Sequence, residues 1–511
     1  MLNNEVLKSK KIAIIISYIS LSVNTLNNII LTPIYIKYLG LEQYGLYQMI
    51  YTIASYILVL DFGINTTMIR YISKFHVNND YESEKDFSAH CLFLVGIISV
   101  AVVIVGGIIN AFLLKIFPTI TSDESQIAHK LFLLMLFVII ATLIERFLQG
   151  CVASYEQFVV FNSIGVIRLL VKLFLTIVFL IKGSGLVGIV LVDIIAISVS
   201  IILLLAFTCK GLHFKVKFAK FKKALVAEIF IFMLPVFLQS VIGYINTYVD
   251  KTILGIMTTK TDVAIYSISM TFVALFNALP SAISSVFLPE ANKLIHGSEC
   301  TKDKLTDFVI RPGRYQFIMC FGLIGGFFCF GKEFLYLWAG ENAVQAWNIA
   351  LVIMIPNAIP LVENTIISIL DAMNKRLFRS LILFIISLFN VIISIILVSL
   401  YGMKGAPVGT AISFILGYGV ILNIYYHKKI GIDVIKLFKS ILSKLWICAL
   451  VPVIVAIPLN CLSSEYSWKI FSLKCIMYII VYVLVLLLFG FNDKEKKEVT
   501  GMLRRFVRFD A

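Results

Sequence analysis

Arg168 and Lys172 stand four residues apart inside an apolar stretch of the sequence. A spacing of four puts both side chains on one face of a helix. Charge at membrane depth costs several kcal/mol unless it meets water or a partner, so each such residue is a functional candidate. Two cations side by side repel. They suit an anionic ligand such as a phosphate, which Arg binds with a bidentate fork, and Arg168 and Lys172 are the candidate substrate-binding pair. Snorkelling toward the cytoplasmic interface is the competing reading. Asp61, Asp193 and Glu363 also fall inside apolar stretches, and they are candidates either to bind a coupling cation or to pair with a cation such as Arg168. Asp61 is followed by Phe62-Gly63, where glycine loosens a helix, and Glu363 follows Pro356 and Pro360, where backbone carbonyls are freed. Arg70, Asp250 and Lys251 lie at the ends of apolar stretches and are gate candidates; Asp250-Lys251 also reads as a solvated helix end. Glu145, Arg146, Glu290 and Asp371 read as residues of the cytoplasmic interface or an inner gate.

Catalytic and metal chemistry find little support. The six histidines lack ligand spacing, and no nucleophile stands near a base in the sequence. Gly326 to Lys332 resembles the front of a phosphate loop, but Glu333 replaces the required Ser or Thr and the segment is apolar. The nine cysteines are scattered without a C-x-x-C pair, which fits small buried hydrophobes better than a disulfide framework. The chain is therefore read as a non-enzyme that needs no cofactor and no metal.

The elements that carry these charges must be transmembrane helices. The 511 residues are 60% hydrophobic and 14% charged, with a mean hydropathy of +0.97. A soluble chain of this size cannot cover itself with so few polar side chains. Apolar runs of about 20 residues recur throughout, which is the length a helix needs to cross a bilayer. They predict fourteen spans, at 12–36, 45–69, 88–113, 131–149, 158–181, 186–208, 228–250, 263–288, 315–337, 345–369, 378–400, 405–426, 444–461 and 470–490. The first run is too long for a signal-peptide core. The net charge of +15 does not point to nucleic acid, because the basic residues cluster at span ends. Most of the 44 Lys and Arg fall on one side if both termini are cytoplasmic, and the reverse orientation inverts that bias.

The second half echoes the first at an offset of 219 residues, as from Gly45 to Ala264. Six spans is an even number, so the two copies face the same way and are related by an axis along the membrane normal. The expected organisation is an N-lobe at 1–208, a basic cytoplasmic linker at 209–227, a C-lobe at 228–428, and an appended pair of spans with a basic tail at 429–511. Gly405, Gly409, Ser413 and Gly417, at spacing four, predict a close helix–helix seam.

The segment from Pro33 to Tyr47 (PIYIKYLGLEQYGLY) and that from Leu60 to Lys74 (LDFGINTTMIRYISK) carry a family resemblance. With two parallel six-helix lobes and a terminal pair, the chain resembles the multidrug/oligosaccharidyl-lipid/polysaccharide (MOP) exporter superfamily, and within it the Wzx-type polysaccharide flippases. The resemblance implies alternating-access movement of a polyprenyl-pyrophosphate-linked oligosaccharide from the cytoplasmic to the outer leaflet of the cell's inner or plasma membrane. Arg168 and Lys172 would then hold the pyrophosphate. A sodium ion or proton is a candidate coupling cation, and membrane lipids and a polysaccharide polymerase are candidate partners. Two alternatives stand beside this reading: a cation-coupled small-molecule or multidrug exporter of the same superfamily, and a membrane oligosaccharide polymerase or glycosyltransferase. The short outer loops disfavour the latter.

Overall fold

Gly40 decides the first turn of the chain. It has φ 78 and ψ 166, a conformation open only to glycine, and it interrupts an otherwise continuous helix, α1 (Leu2–Ile57). The computed structural model describes residues 2–212, 223–296, 301–373, 375–462, 466–492 and 495–496. Most of the basic linker and the tail beyond residue 496 lie outside the described residues, as does Cys300.

The remaining helices are α2 (Ile64–Val77), α3 (Tyr81–Ile116), α4 (Ser122–Ser154), α5 (Phe158–Ile181), α6 (Gly185–Ala206), α7 (Lys223–Met257), α8 (Lys260–His296), α9 (Lys302–Ala339), α10 (Ala346–Val362), α11 (Thr365–Ala372), α12 (Arg376–Tyr401), α13 (Gly405–Ser413), α14 (Asn423–Tyr425), α15 (Val434–Ala456) and α16 (Trp468–Val485). Strands are absent among the described residues. Twelve helical stretches there are long and apolar enough to cross a membrane. Two of them, Ser22–Val77 and Phe378–Ile430, run for 56 and 53 residues. At 1.5 Å per residue each would reach about 80 Å, far beyond a hydrocarbon core of ~30 Å. Each is therefore two spans joined by a tight turn, at Gly40 in the first and at Gly402 (φ 59) in the second. The described residues thus form an all-α integral membrane protein of about fourteen spans.

Contacts divide the chain into two units, Met1–Ser267 and Ile268–Ala511, with the boundary inside α8. This division follows packing, whereas the lobes drawn at 208 and 228 follow the sequence repeat. α7 joins the first unit because Phe237 stacks on Phe62 at 4.5 Å and α7 packs along α1. In the second unit the small-residue seam is realised. A Cβ on Gly409 would meet Ser394 Oγ at 2.6 Å, and one on Gly417 would meet Ile386 at 2.6 Å, so α13 and its continuation lie directly against α12.

The motif at residues 38–47 has a physical account. Gly40 supplies the turn, and Gly45 lets the backbone carbonyl of Lys260 pass where a Cβ would collide. Tyr44, Leu46 and Tyr47 fill the interior behind them.

Candidate functional site: an ionic ladder in the first unit

α4 presents Glu145 and Arg146 side by side, and the two point to different partners. Glu145 is 1% exposed. It accepts from Arg168 Nη1 on α5 and from Ser200 Oγ on α6, the latter at 2.5 Å. One carboxylate thus joins three helices. Arg146 pairs with Asp61. Further along α5, Lys172 Nζ meets Asp193 Oδ1 of α6 at 2.5 Å. Arg168 and Lys172 stand ten and fourteen residues from the start of α5, about 15 and 21 Å along it. Snorkelling does not describe them, because each spends its charge on a buried or half-buried carboxylate. Nor does Arg168 pair with Asp61 or Asp193; its partner is Glu145. The side chains of Arg146, Arg168 and Lys172 are 32%, 34% and 28% exposed, so every cation keeps one open side.

Asp61 sits at a break in the helix. After a short 3-10 turn (Leu58–Asp61), Phe62 and Gly63 both adopt left-handed conformations, with φ 49 and 72, before α2 starts. Asp61 Oδ1 accepts from Gly63 N at 2.8 Å, and its other oxygen takes Arg146. The loosened helix anticipated at Phe62-Gly63 is therefore a defined kink that aims Asp61 at α4.

A tyrosine cluster adjoins the ladder, with Tyr35 within electrostatic reach of Lys172 and Asp193. Tyr35, Tyr47 and Tyr51 of α1 follow one another at centroid distances of 6.1 and 5.9 Å. Tyr51 meets Tyr248 of α7 at 6.4 Å, and Tyr248 meets Tyr56 at 6.2 Å and Tyr244 at 5.7 Å. Tyr51 is 40% exposed, so its ring is not consumed by packing.

The gate candidates are dispersed. Arg70 is exposed and lies over the Phe232 ring at 4.3 Å. Asp250 is not a solvated helix end: α7 continues to Met257, and Asp250 is buried, accepting from Tyr266 at 2.8 Å. Lys251 Nζ reaches Gln48 Oε1 at 3.4 Å. The stronger latch was not foreseen. Lys260 Nζ donates to both oxygens of Glu124 at 2.7 Å and lies 3.6 Å from Glu42. In sequence, Lys260 is one more loop lysine. Only Gly45, which admits its carbonyl, hints that this loop is clasped.

In the second unit, Glu363 lies between α10 and α11, where the helix breaks. It is 3% exposed, and Oε1 accepts from Asn423 Nδ2 at 2.7 Å. Oε2 has no partner among the described residues, and Thr365 Oγ1 beside it is likewise unsatisfied. Glu145 and Glu363 lie near the same point of the two halves, 218 residues apart, though the offset of 219 carries Glu145 to Asn364, and they hold different partners. The first holds an Arg; the second holds an Asn.

This geometry can be set beside known proteins. Residues 10–294 match the family model described as "Polysaccharide biosynthesis protein", more than half of the chain. The chain belongs to the polysaccharide biosynthesis protein family. Its fold is that of the MOP superfamily. It superposes on the lipid II flippase MurJ in an inward closed conformation with a TM-score of 0.71 at 15% identity, covering 93% of this chain and 97% of that one. An inward-facing multidrug resistance MATE family transporter gives 0.65 at 13% identity over 78% and 92%. A MOP superfamily transporter from Pyrococcus furiosus, described by the reversed polarity of its binding pocket, gives 0.56 at 15% identity over 81% and 94%. No curated protein sequence matches the chain. Within the polysaccharide biosynthesis family match fall all the members of the ionic ladder and the tyrosine cluster, whereas Glu363 lies beyond it.

Proposed function

We propose that this protein is a flippase. It carries a polyprenyl-pyrophosphate-linked oligosaccharide from the cytoplasmic to the outer leaflet of the plasma membrane by alternating access, with both termini cytoplasmic. The observation that carries the reading is the ladder: three cations at membrane depth, each about one-third open, stand beside a tyrosine cluster in which Tyr51 is 40% exposed. A pyrophosphate competes with a carboxylate for an Arg fork or a Lys, because both ligands present anionic oxygens. Arg168 and Lys172 thus exchange Glu145 and Asp193 for the head group, and tyrosine faces take up sugar rings.

Glu145 and Asp193, released in that exchange, need a countercharge, which makes Asp193 a site where a sodium ion or proton enters the cycle; Asp61, held by Arg146, becomes one when Arg146 also turns to the head group. Glu363 is a second such site, since a buried carboxylate oxygen without a partner calls for a proton or a cation. Arg70, Asp250 and Lys251 serve as gate residues, with Lys260 as the firmer outer clasp. The protein makes and breaks no covalent bond in this scheme, and a polymerase that uses the translocated units is its natural partner.

The test is depletion of the protein in its own cell. Lipid-linked oligosaccharide should accumulate in the cytoplasmic leaflet while surface polysaccharide disappears. Unchanged surface polysaccharide, together with new sensitivity to cationic drugs, would instead favour the small-molecule exporter of the same superfamily.

A further inference from the structure

The chain between α14 and the appended spans has two unlike faces. Asp433 caps the start of α15, its Oδ1 accepting from Lys436 N at 3.0 Å. The first stretch of α15 turns Leu437 and Ile441 inward, both 0% exposed, against Leu305 and Val309 of α9. The opposite stripe carries Ile435 at 76% exposed and Leu442 at 44%, with exposed Lys439 between them. Residues 435, 439 and 442 recur at helical spacing, so they share one side. Helical geometry then fails at Ser443 (ψ 119) and Lys444 (φ 66), a left-handed lysine, before the span resumes with Trp446, 55% exposed. The break separates a short amphipathic helix from the crossing that follows. Lys428, Lys429, Lys439 and Lys444 are all exposed around it. The nearby acidic groups face Lys436 or the helix start: Asp307 holds Lys436 at 2.7 Å, exposed Asp303 also acts on that lysine, and Asp433 serves as the cap.

We propose that this face, residues 428–446, is an interfacial docking surface for anionic phospholipid. Ile435 and Leu442 enter the acyl boundary, Trp446 sits at the headgroup level, and the four lysines collect lipid phosphates. Charge complementarity fixes the occupant: an apolar stripe rimmed by lysines at the mouth of a transmembrane helix matches a negatively charged leaflet, and the kink at Ser443–Lys444 lets the stripe leave the axis of the span. Each lysine near such a surface contributes about fivefold in affinity, which falls as salt screens it. The proposal stands independently of what the protein transports.

The experiment uses the full chain, reconstituted with Trp338, Trp347 and Trp468 changed to Phe so that Trp446 alone reports. Its fluorescence is quenched by brominated phosphatidylglycerol or by brominated phosphatidylcholine. The expected result is at least about fivefold preference for the anionic lipid, lost at high salt and lost in the K428Q/K429Q/K439Q/K444Q variant, while quenching by phosphatidylcholine is unchanged and so reports a folded chain. Equal quenching by both lipids in the four-lysine protein would overturn the proposal, as would a preference that survives in the variant.

Discussion

Replacing Arg168 tests the ionic ladder, but only alongside its partner. Arg168→Gln leaves Glu145, 1% exposed, with Ser200 as its one remaining polar contact among those described. Removing one member of a fully buried pair costs roughly 3–5 kcal/mol. The Arg168 side chain is 34% exposed, so its share is screened and about 2–3 kcal/mol is the appropriate expectation. Glu145→Gln leaves a cation with an open side and should cost about 1 kcal/mol. In the double variant E145Q/R168Q no charge is stranded, and the Ser200 hydroxyl can still bond an amide. Its stability should return to within ~1 kcal/mol of the parent, which gives a coupling of about 2–4 kcal/mol. Unfolding in mixed micelles measures the four proteins of the cycle. Surface polysaccharide and the leaflet distribution of the lipid-linked precursor measure function. If Arg168 binds the pyrophosphate, the double variant folds and does not transport. Full export by the double variant would remove Arg168 from substrate binding and leave it a purely structural counter-ion. Parental stability in R168Q alone would refute the energetic argument.

Four further outcomes are expected. Lys172→Met should impair export more than stability once Asp193→Asn is added, as measured by the same two readouts, because that pair is only half-buried at 28% and 16%. Gly63→Ala should destabilise by roughly 1–3 kcal/mol in micelle unfolding, since the φ of 72 is strained for alanine and Val236 stands in the way of a Cβ. Lys260→Ala should strand Glu124 and Glu42 and raise the labelling rate of cysteines placed beside the Gly40 turn of α1 and at the Met257 end of α7. Glu363→Gln should keep the fold, because Asn423 can still bond the amide, and should abolish the dependence of transport on pH or sodium in vesicles.

About fourteen spans follow from the sequence alone, and a parallel repeat and a set of intramembrane charges are expected from it, because each rests on a local or periodic property. An apolar run of 20 residues can satisfy its backbone in lipid only as a helix, and an even repeat fixes the orientation of the second copy. Gly405, Gly409 and Gly417 read as a seam for the same reason, since their spacing is helical. Partner choice is different. Arg168, with Asp61 and Asp193 to choose from, takes Glu145, 23 residues earlier, because α4, α5 and α6 pack so that this carboxylate reaches both Arg168 and Ser200. Glu145 looked like an interface residue only because the end of α4 extends to Ser154, several residues past the apolar run. Lys260 gave no sign of its clasp, and Asp250 seemed solvated until α7 was seen to continue beyond it. Hydrophobic pattern thus marked which segments are long and apolar enough to enter the membrane. Only tertiary packing decided which charges meet, because that depends on the rotation and depth of neighbouring helices, and no spacing along a single helix records them.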